Sequence, residues 1–396
     1  MLRAIFLALI VGFATLPARA DVGETVRDLA PNGLVHVVSE SGAVLVSHNS
    51  NQPFVPASVA KIVTAWLAME VLGGDYRFET RFYVDANRVL YVRGGGDPFL
   101  VSEELAVLGR GLVNAAGAEP FSAMVLDTSL YPESLSIPGV TSDSEAYNAL
   151  NSALAVNFNT IHAVRNGDEV RSAERQTPIT PIAIRQFRQR AAQGQSRISL
   201  AQQDPSLSAL YAGELIAAFI RQAGGDVQGA ITIGPVSGGL VPVYTHRQSR
   251  SLSDIVRSML LYSNNYIANQ IFLQVGAHTT GGPVSLQSSQ AALSALLNAR
   301  GLSGTATMVE GSGLSRQNRI TAQGLAGLLV SFAPYAGLME TSGGGSRYKT
   351  GTLDDVSTLA GYAQTRTHGM VRFVIALPGG TGRLRFRILE AIEGQL

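Results

Sequence analysis

Alternation of apolar and polar positions marks an early pair of strands, Leu34–Val38 and Ala43–Ser47, joined by a turn at Glu40-Ser41-Gly42. Pro56-Ala57-Ser58 then opens a helix with a long apolar continuation, Val59-Ala60-Lys61-Ile62-Val63-Thr64-Ala65-Trp66-Leu67. Phe78–Val84 and Val89–Val92 have strand character, and Tyr211–Gln222 has helical character. In Leu252–Tyr262 the apolar residues Leu252, Ile255, Val256, Met259 and Leu260 recur at helical spacing. An extended run from Lys349 through Tyr362 and a second over Val371–Leu377 flank a turn at Thr367-His368-Gly369. The closing stretch, Phe386–Leu396, is short and is expected to pack on the sheet rather than to anchor in a membrane. Gly94-Gly95-Gly96-Asp97-Pro98 lacks a following Lys-Ser/Thr, so it reads as a tight turn and not as a phosphate cradle.

Composition narrows the class. The chain has 396 residues, 46% of them hydrophobic and 15% charged, which suits sizeable cores and argues against disorder. Residues 1–20 carry a secretion pattern: Arg3, an apolar stretch from Ala4 to Ala14, then Ala18-Arg19-Ala20 before Asp21. Cleavage after Ala20 is expected, in preference to an uncleaved anchor. It removes two of the 30 basic residues and leaves 28 against 29 acidic ones, a balance that argues against nucleic acid as partner. No later stretch is apolar enough to span a membrane, so no transmembrane anchor is expected after signal removal. There is no cysteine, which excludes disulfides and thiolate metal sites. The six histidines show no H-x-x-x-H pair, so no metal and no cofactor are expected, and each histidine reads as a surface or turn residue.

Only two of the 30 basic residues are lysines, Lys61 and Lys349. An amine can lose its proton or act as a compact point charge, and guanidinium does both poorly. Lys61 lies in Ser58-Val59-Ala60-Lys61 and Lys349 in Lys349-Thr350-Gly351, with Ser263-Asn264-Asn265 between them. Singly, S-x-x-K and S-x-N are common, and K-T-G can be no more than a strand end. In the order S-x-x-K, S-x-N, K-T-G, using both lysines of the chain, they match the serine enzymes that react with penicillin. Ser58 and Lys61, three apart on a helix, share a face, and the helix N-terminus favours negative charge developing near Ser58. To act as a base Lys61 needs a pKa lowered by about three units, roughly 4 kcal/mol of differential interaction, which burial and the charge of Lys349 both favour. The bland alternative is an N-cap serine beside a solvated lysine. No G-x-S-x-G elbow supports an α/β-hydrolase.

Further segments, PASVAK, GGGDPFL, VLDTSLY, VNFN, YSNNYIANQ, EGSGLSRQN and YKTGTLDDVSTLAGY, give the chain a specific likeness. It resembles the low-molecular-mass class C penicillin-binding proteins, the D-alanyl-D-alanine carboxypeptidase/endopeptidase family. The resemblance implies an α/β (α+β) transpeptidase-like fold: an antiparallel sheet flanked by helices, with an inserted mixed α/β domain. Because Ser58 and Ser263 must converge, the insertion is expected over 76–244 and the catalytic part over 21–75 and 245–396. The resemblance further implies a periplasmic serine peptidase acting on peptidoglycan stem peptides, with β-lactams as covalent inhibitors. It gives Ser58 as nucleophile, Lys61 as base, Ser263 as proton donor to the leaving amine, and Asn265 as holder of Lys61 and of the substrate amide. Lys349, Thr350, Gly351 and Thr352 line the substrate strand, and the N–H groups of Ser58 and Thr352 form the oxyanion hole. Asp127 and Arg316 become candidates for contacting diaminopimelate. Asp354 departs from the pattern, since relatives can carry an uncharged polar residue there. A β-lactamase or a non-catalytic cell-wall binding protein are the alternatives. Between Asn265 and Lys349 the only acids are Glu310 and Glu340, neither in an E-x-x-L-N setting, so slow penicillin turnover is expected. The balance of carboxypeptidase and endopeptidase activity is not legible.

Overall fold

The structure is a computed structural model describing residues 21–200, 204–379 and 382–396; the expected signal segment 1–20 lies outside the described residues. Its first sheet is antiparallel and contains β1 (Leu34–Val38), β2 (Val44–His48), β3 (Arg347–Leu353), β4 (Val356–Gln364) and β5 (Met370–Pro378), in the spatial order β3-β4-β5-β1-β2. Period-two alternation decides its faces. Val371, Phe373, Ile375 and Leu377 of β5 face one core with Val26 and Ile388, while Val374 and Ala376 face another with Trp66 and Phe332. Helices therefore cover both sides. On one face lie α1 (Val22–Leu29) and the C-terminal Gly382–Gln395; on the other lies the bundle containing α2 (Ala60–Val71), α3 (Leu252–Tyr262) and α4 (Asn265–Thr280). Every residue of α2 from Ala60 to Met69 is buried, which is why its sequence is apolar all round and not striped.

The second sheet is mixed. Its strands run in the order Ile231–Ile233, Ala123–Asp127, Val89–Arg93, Glu79–Val84, Tyr244–Arg247. Val89–Arg93 and Ala123–Asp127 are parallel, and helix Ser102–Ala116 makes the crossover between them. With helix Ser206–Gln222 and a three-stranded sheet centred on Thr160–Asn166, this region closes its own core around Phe82, Leu108, Phe121, Phe187, Tyr211 and Phe219. Phe78, Ala149 and Ala155 pack instead into the core around Trp66.

Three sequence expectations change. The run Lys349–Tyr362 is not one strand: β3 and β4 form a hairpin, with Leu353 paired to Val356 across Asp354 and Asp355. In the stretch Gly94–Pro98 the turn comes only at its end, at Pro98–Phe99, where Phe99 N donates to Asp97 Oδ1 at 2.8 Å; a Cβ on Gly95 would lie 1.9 Å from the Glu79 carbonyl oxygen, so close backbone approach explains that glycine. Two histidines are neither surface nor turn residues: His36 is buried within β1, and His246 is buried with Nε2 2.8 Å from Glu104.

Candidate active site

Ser58 lies in a single 3₁₀ turn, Ala57–Val59, immediately before α2. Ala57 has φ of 47°, a left-handed conformation that costs a non-glycine residue of the order of 1–3 kcal/mol. From α2, Lys61 turns back toward that hairpin of chain and is fully buried. Its Nζ lies 3.0 Å from Ser58 Oγ, 2.7 Å from Asn265 Oδ1 and 2.7 Å from the Ser312 carbonyl oxygen.

The Ser-Asn-Asn segment reaches this point through two adjoining helix ends. Ser263 ends α3 in the left-handed region at φ 53°, and the Asn264 side chain then accepts from Ile267 N at 3.0 Å, capping α4. Asn265 is thereby the first residue of α4 and faces Lys61. Upstream, Ser251 and Asp254 form a capping box that begins α3.

The sheet brings in the third segment. Gly351 on the edge strand β3 lies so near the serine turn that a Cβ there would be 2.7 Å from Pro56 O and 3.0 Å from Ser58 N. The Thr358 hydroxyl of β4 donates to Pro56 O at 2.7 Å, fastening the turn to the sheet. Behind the strand, Arg385 donates to Gly351 O at 2.6 Å and to Thr358 O at 3.1 Å. Lys349 is 4% exposed, and its Nζ donates to Thr350 O at 2.9 Å.

Burial, reinforced by the charge of Lys349 and opposed by that of Glu310, brings the Lys61 pKa down to about 7. Burial and the Arg385 guanidinium, opposed by Glu340, bring Lys349 down to about 8. Two cations in one dry site are thus both close to losing a proton near neutrality.

Glu310 is fully buried beside this cluster, and Ser312 accepts from Lys61 through its backbone. Sequence reasoning set Glu310 aside as an acid outside a deacylation motif; only its place within EGSGLSRQN hinted at more. Nothing in the sequence singled out Arg385 or Thr358. Asp127 and Arg316 stand apart, each in its own ion pair. Asp127 is 1% exposed, 2.9 Å from Arg93 Nε, and accepts from Ser129 N and Val236 N. Burial pushes its carboxyl up, but these hydrogen bonds and Arg93 outweigh it and hold it low. Arg316 pairs with Asp355 in the β3–β4 turn.

The family model described as D-Ala-D-Ala carboxypeptidase 3 (S13) matches residues 28–204 and 189–336. The chain belongs to this family. It is 24% identical to a D-alanyl-D-alanine carboxypeptidase of Actinomadura sp. (strain R39), over 96% of this chain and 84% of the relative. It is 26% identical to the carboxypeptidase DacB of Mycolicibacterium smegmatis, over 89% of this chain and 78% of the relative. In structure it is similar to penicillin binding protein 4 (dacB) from Haemophilus influenzae, with a TM-score of 0.74 and 20% identity over 91% of this chain and 94% of that one. The resemblance to the low-molecular-mass class C penicillin-binding proteins and the penicillin-binding fold it implies are both borne out. So is the serine-type carboxypeptidase class. Among the described residues, no helix is long and apolar enough to cross a membrane.

Proposed function

We propose that this S13 enzyme is exported to the periplasm and cleaves the D-Ala-D-Ala amide of peptidoglycan stem peptides through an acyl-enzyme on Ser58. One observation carries the reading: the buried Lys61 amine has three fixed neighbours, and only one of them can give it a proton. Asn265 Oδ1 and the Ser312 carbonyl are acceptors only. The two N–H bonds of a neutral amine go to them, and its lone pair is left for the Ser58 hydroxyl.

In the proposed sequence Ser58 Oγ attacks the carbonyl carbon of the penultimate D-Ala while Lys61 takes the hydroxyl proton. The N–H groups of Ser58 and Thr352 stabilise the oxyanion. Ser263 relays a proton to the leaving nitrogen as the C–N bond breaks, and water then hydrolyses the ester and restores Ser58. Lys349, with Thr350 and Thr352, receives the C-terminal carboxylate, and Gly351 lets the substrate strand lie close along β3. Asn265 holds the substrate amide through its Nδ2. Asp127 and Arg316 serve the diaminopimelate part by exchanging their present partners for substrate groups. Residues 76–244 act as one inserted unit on the catalytic part, 21–75 and 245–396. A β-lactam acylates the same serine.

Intact-protein mass spectrometry with and without penicillin tests this. A stable penicilloyl adduct that disappears in Ser58→Ala is expected; consumption of penicillin without an adduct would make the chain a β-lactamase, and intact penicillin without an adduct a binding protein.

A further inference from the structure

Glu310 is a fully buried carboxylate in the catalytic lobe that the proposed reaction leaves without a task, and its surroundings are unusually complete. One oxygen accepts from Ser312 N at 2.8 Å and from the Ser312 hydroxyl. The other accepts from Gly313 N at 2.8 Å, Ser315 N at 3.2 Å and Asn318 Nδ2 at 2.6 Å. Five donors from residues 312–318 therefore converge on one carboxylate with no solvent exposure. The same strip is clamped from both neighbouring helices: Thr64 of α2 donates to Gly311 O at 2.6 Å, and Gly311 N donates to Asn269 of α4 at 2.7 Å. Within this wrapped loop the Ser312 carbonyl points at Lys61 Nζ.

We infer that Glu310 is a positioning residue for acylation: by gathering the 312–318 loop it aims the Ser312 carbonyl at Lys61 and so fixes which way the amine's lone pair points. A buried carboxylate is costly unless hydrogen-bonded on all sides, and here the bonds that satisfy it are the ones that shape the loop. Its charge has a second effect. The charged groups facing Lys61 are Lys349 from β3 and Glu310 from the loop; the first drives the amine toward the neutral form and the second holds it back. Glu310 thus limits how far the amine's basicity falls, since a base of very low pKa takes the serine proton poorly. A residue that only stabilised the fold would do neither.

The inference rests on Ser58 and Lys61 as the reacting pair, and its test separates the two ideas because the chain contains only two lysines. Lysine labelled at Cε gives two side-chain resonances, assigned with Lys349→Arg, and their pH titration reads Lys61 whether or not any penicillin reacts. In Glu310→Gln the Lys61 midpoint is expected to fall below its value of about 7 while Lys349 stays near 8. Because the Gln amide offers N–H to groups that are themselves donors, penicilloyl formation at the pH optimum is expected to slow by about tenfold or more. Glu310→Asp keeps the charge but is one methylene short; its Lys61 midpoint is expected to stay within a few tenths of wild type while acylation slows. An unmoved Lys61 midpoint in Glu310→Gln, or wild-type acylation in both variants, would overturn the inference. If Glu310→Gln does not fold, Glu310→Asp alone decides, and wild-type acylation by it overturns the inference. Absence of an adduct in the wild-type protein sinks the serine mechanism instead, and the titration still reports on Glu310.

Discussion

Around Trp66 the buried polar groups Lys61, Thr64, Asn269, Glu310 and Ser312 converge within one network. In the second lobe, near the core of Phe187, Ser102, Asn157, Asn159 and Ser208 are equally buried and hydrogen-bonded. Both networks brace left-handed, non-glycine backbone: Ala57 and Ser263 in the first lobe, Asn157, Phe158 and Asn159 in the second. The difference lies in what is left over. In the second lobe, amide donors meet carbonyl and hydroxyl acceptors, and the result is a fixed turn. In the first, the network contains an amine 3.0 Å from a serine hydroxyl, the pair that the proposed reaction uses. Buried polarity by itself therefore says nothing of catalysis; a basic amine held beside a serine hydroxyl inside it does.

The contrast is most sharply tested by Phe187→Ala, which empties a fully buried site in the second lobe. It is expected to cost about 3–5 kcal/mol in urea unfolding, while the folded fraction still acylates within about twofold of the wild-type rate. A large loss of acylation in folded protein would show that the two lobes work as one. Gly351→Ala is expected to do the reverse. Its methyl collides with Thr358 and with the serine turn, so acylation falls about 100-fold, near 3 kcal/mol of barrier, with the melting midpoint little changed. The smallest effect is the pH response. In the proposed reaction Lys61 works as the free amine and Lys349 as the cation, so activity is expected to rise with pH through about 7 and to fall through about 8. A narrow bell is expected, with roughly a tenth of the activity at pH 6; a flat profile from pH 6 to 9 would remove the lysines from the rate.

Much of the first lobe was legible because its chemistry demands short motifs and its helices and strands have strong periods. Leu252–Tyr262 emerged with the bounds the spacing predicts, and Val371–Leu377 differs by one residue at each end. The hairpin inside Lys349–Tyr362 was hidden because the break at Asp354-Asp355 contains neither Gly nor Pro. Strand Tyr244–Arg247 pairs with Glu79–Val84, with Arg247 facing Glu79 at a separation of 168 positions (247 − 79), a non-local partnership without a local signal. Arg385 escaped for a related reason. A buried arginine that meets main-chain carbonyls has the same letter as a surface one, and its purpose appears only when β3 and β4 lie in front of it.

That arginine also sets an order of events. It lies 327 positions after Ser58 (385 − 58), on the helix Gly382–Gln395, yet it holds the strand against which the serine turn rests. During synthesis the nucleophile emerges hundreds of residues before its buttress. The serine turn is thus expected to lack its backing until this late helix docks, and trimming that helix from a mature molecule is expected to loosen the edge strand while leaving every motif residue intact.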